Sequence, residues 1–155
     1  MKFACDVMLG RLARWLRLCG LDVFYKNDVD RSGLLRVARE EGRVVLTRAG
    51  NFRELSEIPP YFIISGDDLD GQILQVYNAY PGLDPLAKFL TRCVECNVPL
   101  EDVDKNNFRG LIPPKAMLIE GRFCRCPSCG KLLWPGTHVT RIRSRLERLF
   151  PSQRR

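Results

Sequence analysis

Residues 2–20 read KFACDVMLGRLARWLRLCG and predict a buried strand followed directly by an amphipathic helix. The apolar run at 2–5 is the strand, and it ends at Asp6. At 100° per residue, one side of the following helix is apolar and the opposite side is basic. The apolar side consists of Leu9, Leu12, Leu16 and Cys19, and the basic side of Arg11, Arg14 and Arg17. Gly20 is a favourable residue for ending this helix.

The order of strand and then helix repeats along the first half of the chain. Further strands are predicted at 23–25, 44–47 and 61–64, and further helices up to Glu41 and over 69–79. Either Asp30 or Ser32 is suited to cap the second helix, and Gly42 is suited to end it. Strands that alternate with helices predict a parallel sheet with helices on both faces, which is an α/β fold. The remainder is rich in cysteine and turns, so we expect two domains, at 1–90 and 91–155.

The composition is that of a globular protein with a surplus of positive charge. The chain has 155 residues, 45% of them hydrophobic and 28% charged, which argues against a disordered chain, a collagen or a coiled coil. A net charge of +7 favours a polyanionic partner, such as nucleic acid or anionic lipid, over a merely solubilising surface. No apolar run is long enough to span a bilayer and no signal peptide is evident, so we expect a cytoplasmic protein that does not enter the membrane.

Acidic residues follow three of the predicted strands. They are Asp6, Asp28, Asp30, Asp67 and Asp68. Open parallel sheets bind their ligands at the carboxyl ends of the strands, where these acids are expected to converge. Carboxylates gathered in this way suit a hard cation such as Mg²⁺ or Mn²⁺, which can activate water for phosphodiester hydrolysis. Asp is also common in turns and helix caps, so the catalytic and the structural interpretation stay open.

Two groups of arginines are candidates for contacts to a nucleic-acid backbone. The stripe of Arg11, Arg14 and Arg17 begins about one helical turn after Asp6, and contacts from it to phosphates would position a strand beside the acids. The second group is Arg141, Arg143, Arg145, Arg148, Arg154 and Arg155. Each group is equally consistent with a solvated surface. The lone histidine, His138, suits a general acid, a phosphate contact or a packing role.

Four of the seven cysteines form two CxxC motifs, Cys93 with Cys96 and Cys126 with Cys129, separated by 29 residues. Two such knuckles supply the four thiolates of a tetrahedral Zn²⁺ site, and the spacing suits a zinc ribbon. A site closed by four thiolates is structural and not catalytic. The other three are left out of the site: Cys124 is out of register with the knuckles, and Cys5 and Cys19 are predicted to be core thiols.

Several segments together resemble the Mut-seven C-terminal RNase domain family. They are 6–17, 42–48, Asp68 with Gln72, 92–93, 96–97, Phe123, 126–130, and 134–136 with His138. The resemblance runs almost from end to end. It implies a PIN-like nuclease domain followed by a small zinc ribbon, and cleavage of RNA that depends on Mg²⁺ or Mn²⁺.

The resemblance also assigns roles to individual residues. Metal would be held by Asp6, by Asp28 or Asp30, and by Asp67 or Asp68, while Arg11, Arg14 and Arg48 would anchor the RNA backbone. Two positions depart from the family pattern. Ala49 stands where the family has an Asp that looks like a metal ligand. Arg31 stands about where an acid is usual before the second helix, with Asp30 beside it as the alternative acid.

Three functions therefore remain open from the sequence. The first is a metal-dependent ribonuclease, impaired to some degree by Ala49. The second is an RNA-binding module with little or no cleavage. The third is an interaction protein whose ribbon docks onto an RNA-processing assembly, with protein partners that the sequence does not identify.

Overall fold

Four parallel strands form the central sheet of the structure, a computed structural model that describes residues 1–51 and 58–151. They are β1 (Lys2–Cys5), β2 (Asp22–Phe24), β3 (Val44–Thr47) and β4 (Tyr61–Ile63), arranged in the order β2-β1-β3-β4. β1 and β3 lie at the centre because their residues are almost entirely apolar and buried. The predicted α/β fold with a parallel sheet is confirmed.

The strand order creates a crevice at one edge of this sheet. The chain leaves β1 toward β2 on one side, and it then returns to place β3 on the other side of β1. Connections that diverge in this way open a ligand crevice at the carboxyl ends of the two central strands. Asp6 lies at this point, and its amide extends the β1–β3 pairing by donating to the Leu46 carbonyl at 3.0 Å.

Helices cover both faces of the sheet. A 3₁₀ turn at Val7–Leu9 leads into α1 (Gly10–Leu18), which packs with α3 (Leu69–Ala79) on one face. α2 (Arg31–Glu41) packs on the opposite face. Asp30 is the residue that caps α2, and Gly42 ends the helix with a φ of 62°.

The cysteine-rich part contains a small antiparallel sheet of β5 (Glu101–Asp102), β6 (Cys124–Arg125) and β7 (Leu132–Leu133). A 3₁₀ turn at Lys105–Phe108 and the short α4 (Pro114–Met117) connect β5 to β6. Buried cysteines and Leu100 form its core near the knuckles.

The last helix returns to the large sheet. In α5 (Thr137–Leu149), Leu146 is fully buried in the core that α1 and α3 share. Phe150 follows the helix and packs edge-on against Tyr77 at 5.0 Å between ring centroids. The described helices include none that combines the length and the apolar character needed to cross a membrane.

Candidate active site and metal centre

A cleft of about 190 Å³ lies at the crevice between the ends of β1 and β3. It is lined by Asp6, Val7, Met8, Val29, Asp30, Arg31, Leu34 and Ala49. Two of the five predicted acids are among these residues, as are both positions that depart from the family pattern. The cleft therefore brings together residues from the loops after β1, β2 and β3.

Asp6 is held by a hydrogen bond to each of its carboxylate oxygens. Its Oδ1 accepts from the Met8 amide at 2.8 Å, which caps the 3₁₀ turn. Its Oδ2 accepts from the Thr47 hydroxyl at 2.5 Å, with the Arg48 amide 3.4 Å away. Because these donors belong to rigid backbone and a buried side chain, the carboxylate is fixed in one orientation.

Thr47 is a site residue that the sequence interpretation missed as an individual side chain. It is fully buried at the end of β3, where its hydroxyl accepts from the Ala49 amide at 3.0 Å and donates to Asp6. The accepted bond leaves the hydroxyl proton free to point at Asp6, so the direction of donation is set. A hydroxyl residue at the end of an apolar strand was the signal available in the sequence.

Asp30 and Arg31 form the opposite side of the cleft at the start of α2. Asp30 caps the helix by accepting from the Gly33 amide at 2.8 Å. The neighbouring Arg31 donates to Asn51 Oδ1 at 2.9 Å. The Arg31 guanidinium thus lies about where the resemblance leads us to expect an acid, and it lines the same cleft as Asp6.

The other predicted acids do not converge with Asp6, which corrects the expectation of a gathered acidic cluster. Asp67 is exposed and pairs with the Arg48 guanidinium at 2.6 Å. Asp68 caps α3 by accepting from the Gly71 amide at 2.8 Å, and Asp28 is exposed outside the cleft lining. Within residues 1–51 and 58–151, no three carboxylates come close enough to share a cation. In the loop after β4, Asp67 is used in a surface ion pair and Asp68 in a helix cap.

Ala49 lies in the cleft and also packs against the core under α2. Its methyl group offers no ligand atom to a cation. The cleft consequently presents two carboxylates, from Asp6 and Asp30, together with the Arg31 guanidinium.

Of the predicted RNA-contacting arginines, Arg11, Arg14 and Arg141 are exposed. Arg14 pairs with Glu95 of the first knuckle. Arg48 is 29% exposed and is paired with Asp67. Arg154 and Arg155, which belong to the same predicted group as Arg141, lie outside the described residues.

The expected outward position of Arg17 is wrong. This side chain is 5% exposed and donates to the carbonyls of Val23 at 2.9 Å, Val94 at 2.8 Å and Glu95 at 3.0 Å. The first knuckle folds over this side of α1, which a helical projection of residues 8–19 cannot show. Its guanidinium is used to join α1, β2 and the cysteine-rich part.

A second link between these parts runs through Asn97, which follows the first knuckle. Its side-chain oxygen accepts from the Val23 amide at 3.0 Å and its amide nitrogen donates to Asp22 at 2.8 Å. Burial raises the pKa of Asp22, but the hydrogen bonds from Arg43 and Asn97 outweigh it, so the pKa lies below its usual value.

The four knuckle cysteines come together as predicted. The Sγ atoms of Cys93, Cys96, Cys126 and Cys129 all lie within 4.8 Å of one another. The Cys93 and Cys129 sulfurs are 3.9 Å apart. A tetrahedron of sulfurs at about 2.3 Å from Zn²⁺ has edges of about 3.8 Å, so the cluster fits a structural zinc.

The backbone of both knuckles supports this interpretation. The amides of Cys96 and Cys129 point at the sulfurs of Cys93 and Cys126, at 3.5 and 3.4 Å. Amides in this position favour thiolates over thiols. The residues after the knuckles, Asn97 and Gly130, have φ values of 59° and 74° and so allow the chain to turn back.

The remaining cysteines lie outside this cluster, as predicted. Cys5 and Cys19 are buried in the core beneath α1, and burial raises the pKa of Cys19 to about 12. Cys124 is buried, and its thiol donates to Asp102 at 3.8 Å. His138, in contrast, is exposed in the first turn of α5, so the structure does not give it a packing role.

Comparison with known proteins gave one family. The model described as Mut7-C RNAse domain matches residues 1–146. No match was found among curated proteins or among solved structures.

Proposed function

Because the chain belongs to the Mut7-C RNAse domain family, the family that its sequence resembles, we propose that it hydrolyses RNA phosphodiester bonds with Mg²⁺ or Mn²⁺. The observation that carries the proposal is the fixed Asp6 carboxylate in a cleft at the crevice of a parallel sheet. Crevices of this kind are where open α/β sheets place their ligands.

Asp6 and Asp30 are the residues that would hold the cation. Both present carboxylate oxygens, which are the ligands that Mg²⁺ and Mn²⁺ prefer. When bound, such a cation supplies a nucleophilic water at neutral pH and neutralises charge on the phosphate.

The other side chains of the site act on the RNA and on Asp6. The Thr47 hydroxyl and the Met8 amide hold the Asp6 carboxylate in place before any ligand arrives, so no reorganisation is needed on binding. Arg11 and Arg48 lie on the segments that flank Asp6 and would anchor phosphates of the strand.

The test is cleavage of labelled single-stranded and structured RNA with Mg²⁺ or Mn²⁺. We expect cleavage that Asp6→Asn abolishes and that Glu40→Gln leaves unchanged, since Glu40 is an exposed carboxylate of α2 outside the cleft lining. Cleavage that survives in Asp6→Asn would overturn the assignment of the site.

A second candidate is an RNA-binding module with little or no cleavage. It is favoured by Ala49 and Arg31, which leave the cleft with two carboxylates and an added cation. Ala49→Asp separates the two functions because it supplies the third carboxylate. Cleavage that appears only in this variant supports the binding module, whereas cleavage by the chain with Ala49 supports the ribonuclease.

A further inference from the structure

A second and larger groove, of about 650 Å³, lies beside the acidic cleft. It runs between α1, the first cysteine knuckle, β7 and the start of α5. Its ring-bearing residues are Trp15, Trp134 and His138. The groove is thus built from segments far apart in sequence, and Arg11 is the one lining residue that it shares with the proposed cleavage reaction.

Both tryptophans in this groove are held in place by protein partners. The Arg145 guanidinium lies 5.1 Å from the Trp15 ring, and Asp70 in turn binds Arg145 at 2.8 Å. The Trp134 ring stacks on the Phe123 ring, with 6.2 Å between the ring centroids and an angle of 18° between the planes. Rings fixed in this way can stack on a ligand without first losing conformational freedom.

The charge around the rings is positive. Arg11, Arg14 and Lys131 line the groove with one carboxylate, that of Glu95, which pairs with Arg14. The side chains of Arg11 and Lys131 are exposed and form no bond to any described residue. Two cations therefore remain available to an anionic ligand.

The acidic cleft and the groove follow one another along the segment that leads from Asp6 into α1. Met8 lines the cleft, and Arg11 and Trp15 line the groove. At about 1.5 Å per helical residue, Trp15 lies about 10 Å along the helix from Met8. A strand with one phosphate in the cleft would reach the groove with its neighbouring nucleotides.

We propose that this groove binds unpaired nucleotides of the RNA strand, with bases against the fixed tryptophans and phosphates on Arg11 and Lys131. The inference rests on the proposed function, because RNA is the ligand in both. Only an unpaired base has a ring face free to stack on an aromatic side chain. Fixed rings interleaved with unpaired cations match a single strand better than they match a peptide. The groove therefore selects single-stranded over double-stranded RNA.

Fluorescence anisotropy with a labelled 12-nucleotide RNA, alone or in a duplex, tests this selection. Without added Mg²⁺ or Mn²⁺, we expect the single strand to bind more tightly than the duplex. Arg11→Ala and Lys131→Ala should each weaken binding about 3- to 10-fold. Each should also lower the slope of log affinity against log salt concentration by about one, because one phosphate contact is lost. The matched control is Arg39→Ala, an exposed helical arginine of α2 that should change neither.

A second variant tests the aromatic contact. Trp134→Ala should weaken single-strand binding about 5-fold or more, while Trp134→Phe, which keeps a ring, should retain most of it. Photo-crosslinking of RNA that contains 5-iodouridine should label Trp15 or Trp134 in the natural chain, so the result does not depend on a variant that folds poorly.

The outcomes separate this inference from the proposed cleavage. Equal binding by Arg11→Ala, Lys131→Ala and Arg39→Ala, with crosslinks elsewhere, would overturn the assignment of the groove to RNA. Cleavage by the same protein would leave the ribonuclease proposal standing. Groove binding without cleavage would support the groove and favour the RNA-binding module.

Discussion

Asp6 depends on its neighbours for a fixed orientation, and the buried Thr47 hydroxyl is the most specific of them. Thr47→Val keeps the shape of the side chain but removes the hydroxyl that donates to Asp6 and accepts from the Ala49 amide. We expect a loss of about 1–3 kcal/mol in the free energy of unfolding, since the half-buried Ala49 amide loses its acceptor and Asp6 loses a donor. Calorimetric titration with Mn²⁺ should also show weaker binding.

Thr47→Ser is the matched control because it keeps the hydroxyl. If Thr47→Val lowers stability but Mn²⁺ binds to it and to Thr47→Ser with equal affinity, Thr47 is structural only. If the affinity returns with serine alone, Thr47 is a positioning residue for Asp6.

The lowered pKa of Asp22 leads us to expect that the stability of the fold depends on pH. Burial opposes its charge, but Arg43 and Asn97 hold its pKa below the usual value. A group whose pKa is lowered by folding stabilises the fold above the unfolded pKa of about 4, and this contribution is lost as the pH falls through the folded pKa. Urea unfolding of Asp22→Asn should show a loss of about 1.5–3 kcal/mol at pH 7.

At pH 3 the difference between this variant and the unsubstituted chain should be smaller, because pH 3 lies below the unfolded pKa of about 4 and part of the contribution is then lost. Glu40→Gln, an exposed carboxylate change, should cost little at pH 7. A difference for Asp22→Asn that is constant between pH 3 and pH 7 would contradict the role of its charge.

Elements were predictable from the sequence where local pattern determines them. The bounds of β3 and α3 agree with the prediction. β3 consists mostly of β-branched residues, and the apolar residues of α3 recur with helical spacing. The positions of Asp6 and Asp30 in the cleft follow in the same way, because each comes after a strand. The buried position of Arg17 was not predictable, since its carbonyl partner Val94 lies 77 residues further along the chain.

Arg17→Ala tests the link from α1 to the first knuckle. It leaves the carbonyls of Val23, Val94 and Glu95 without this donor, and we expect a loss of about 2–4 kcal/mol. Arg11→Ala on the exposed side of the same helix should cost less than about 0.5 kcal/mol. Chemical denaturation of both variants gives the comparison, and equal losses would contradict the structural role of Arg17.

At the scale of the whole molecule, the cysteine-rich part and the large sheet share their packing. Arg17 and Asn97 join the first knuckle to β2, and α5 returns to pack Leu146 into the core of the sheet. The division at residue 90 stays a prediction, but these contacts mean that the two parts stabilise each other. The net charge of +7 is distributed accordingly, with an acidic cleft beside a basic groove.

Removal of the zinc should therefore destabilise β2 and α1 as well as the knuckles. We expect about one zinc per chain by metal analysis and almost none in Cys93→Ser, since a structural site needs all four thiolates. Hydrogen exchange of Cys93→Ser should be faster in β2 and α1 as well as in the ribbon, because Val94 and Asn97 no longer hold Arg17 and Val23. Cys124→Ser, a buried cysteine outside the cluster, should keep its zinc. If β2 and α1 exchange at their natural rates while the ribbon opens, the two parts are energetically independent despite their contacts.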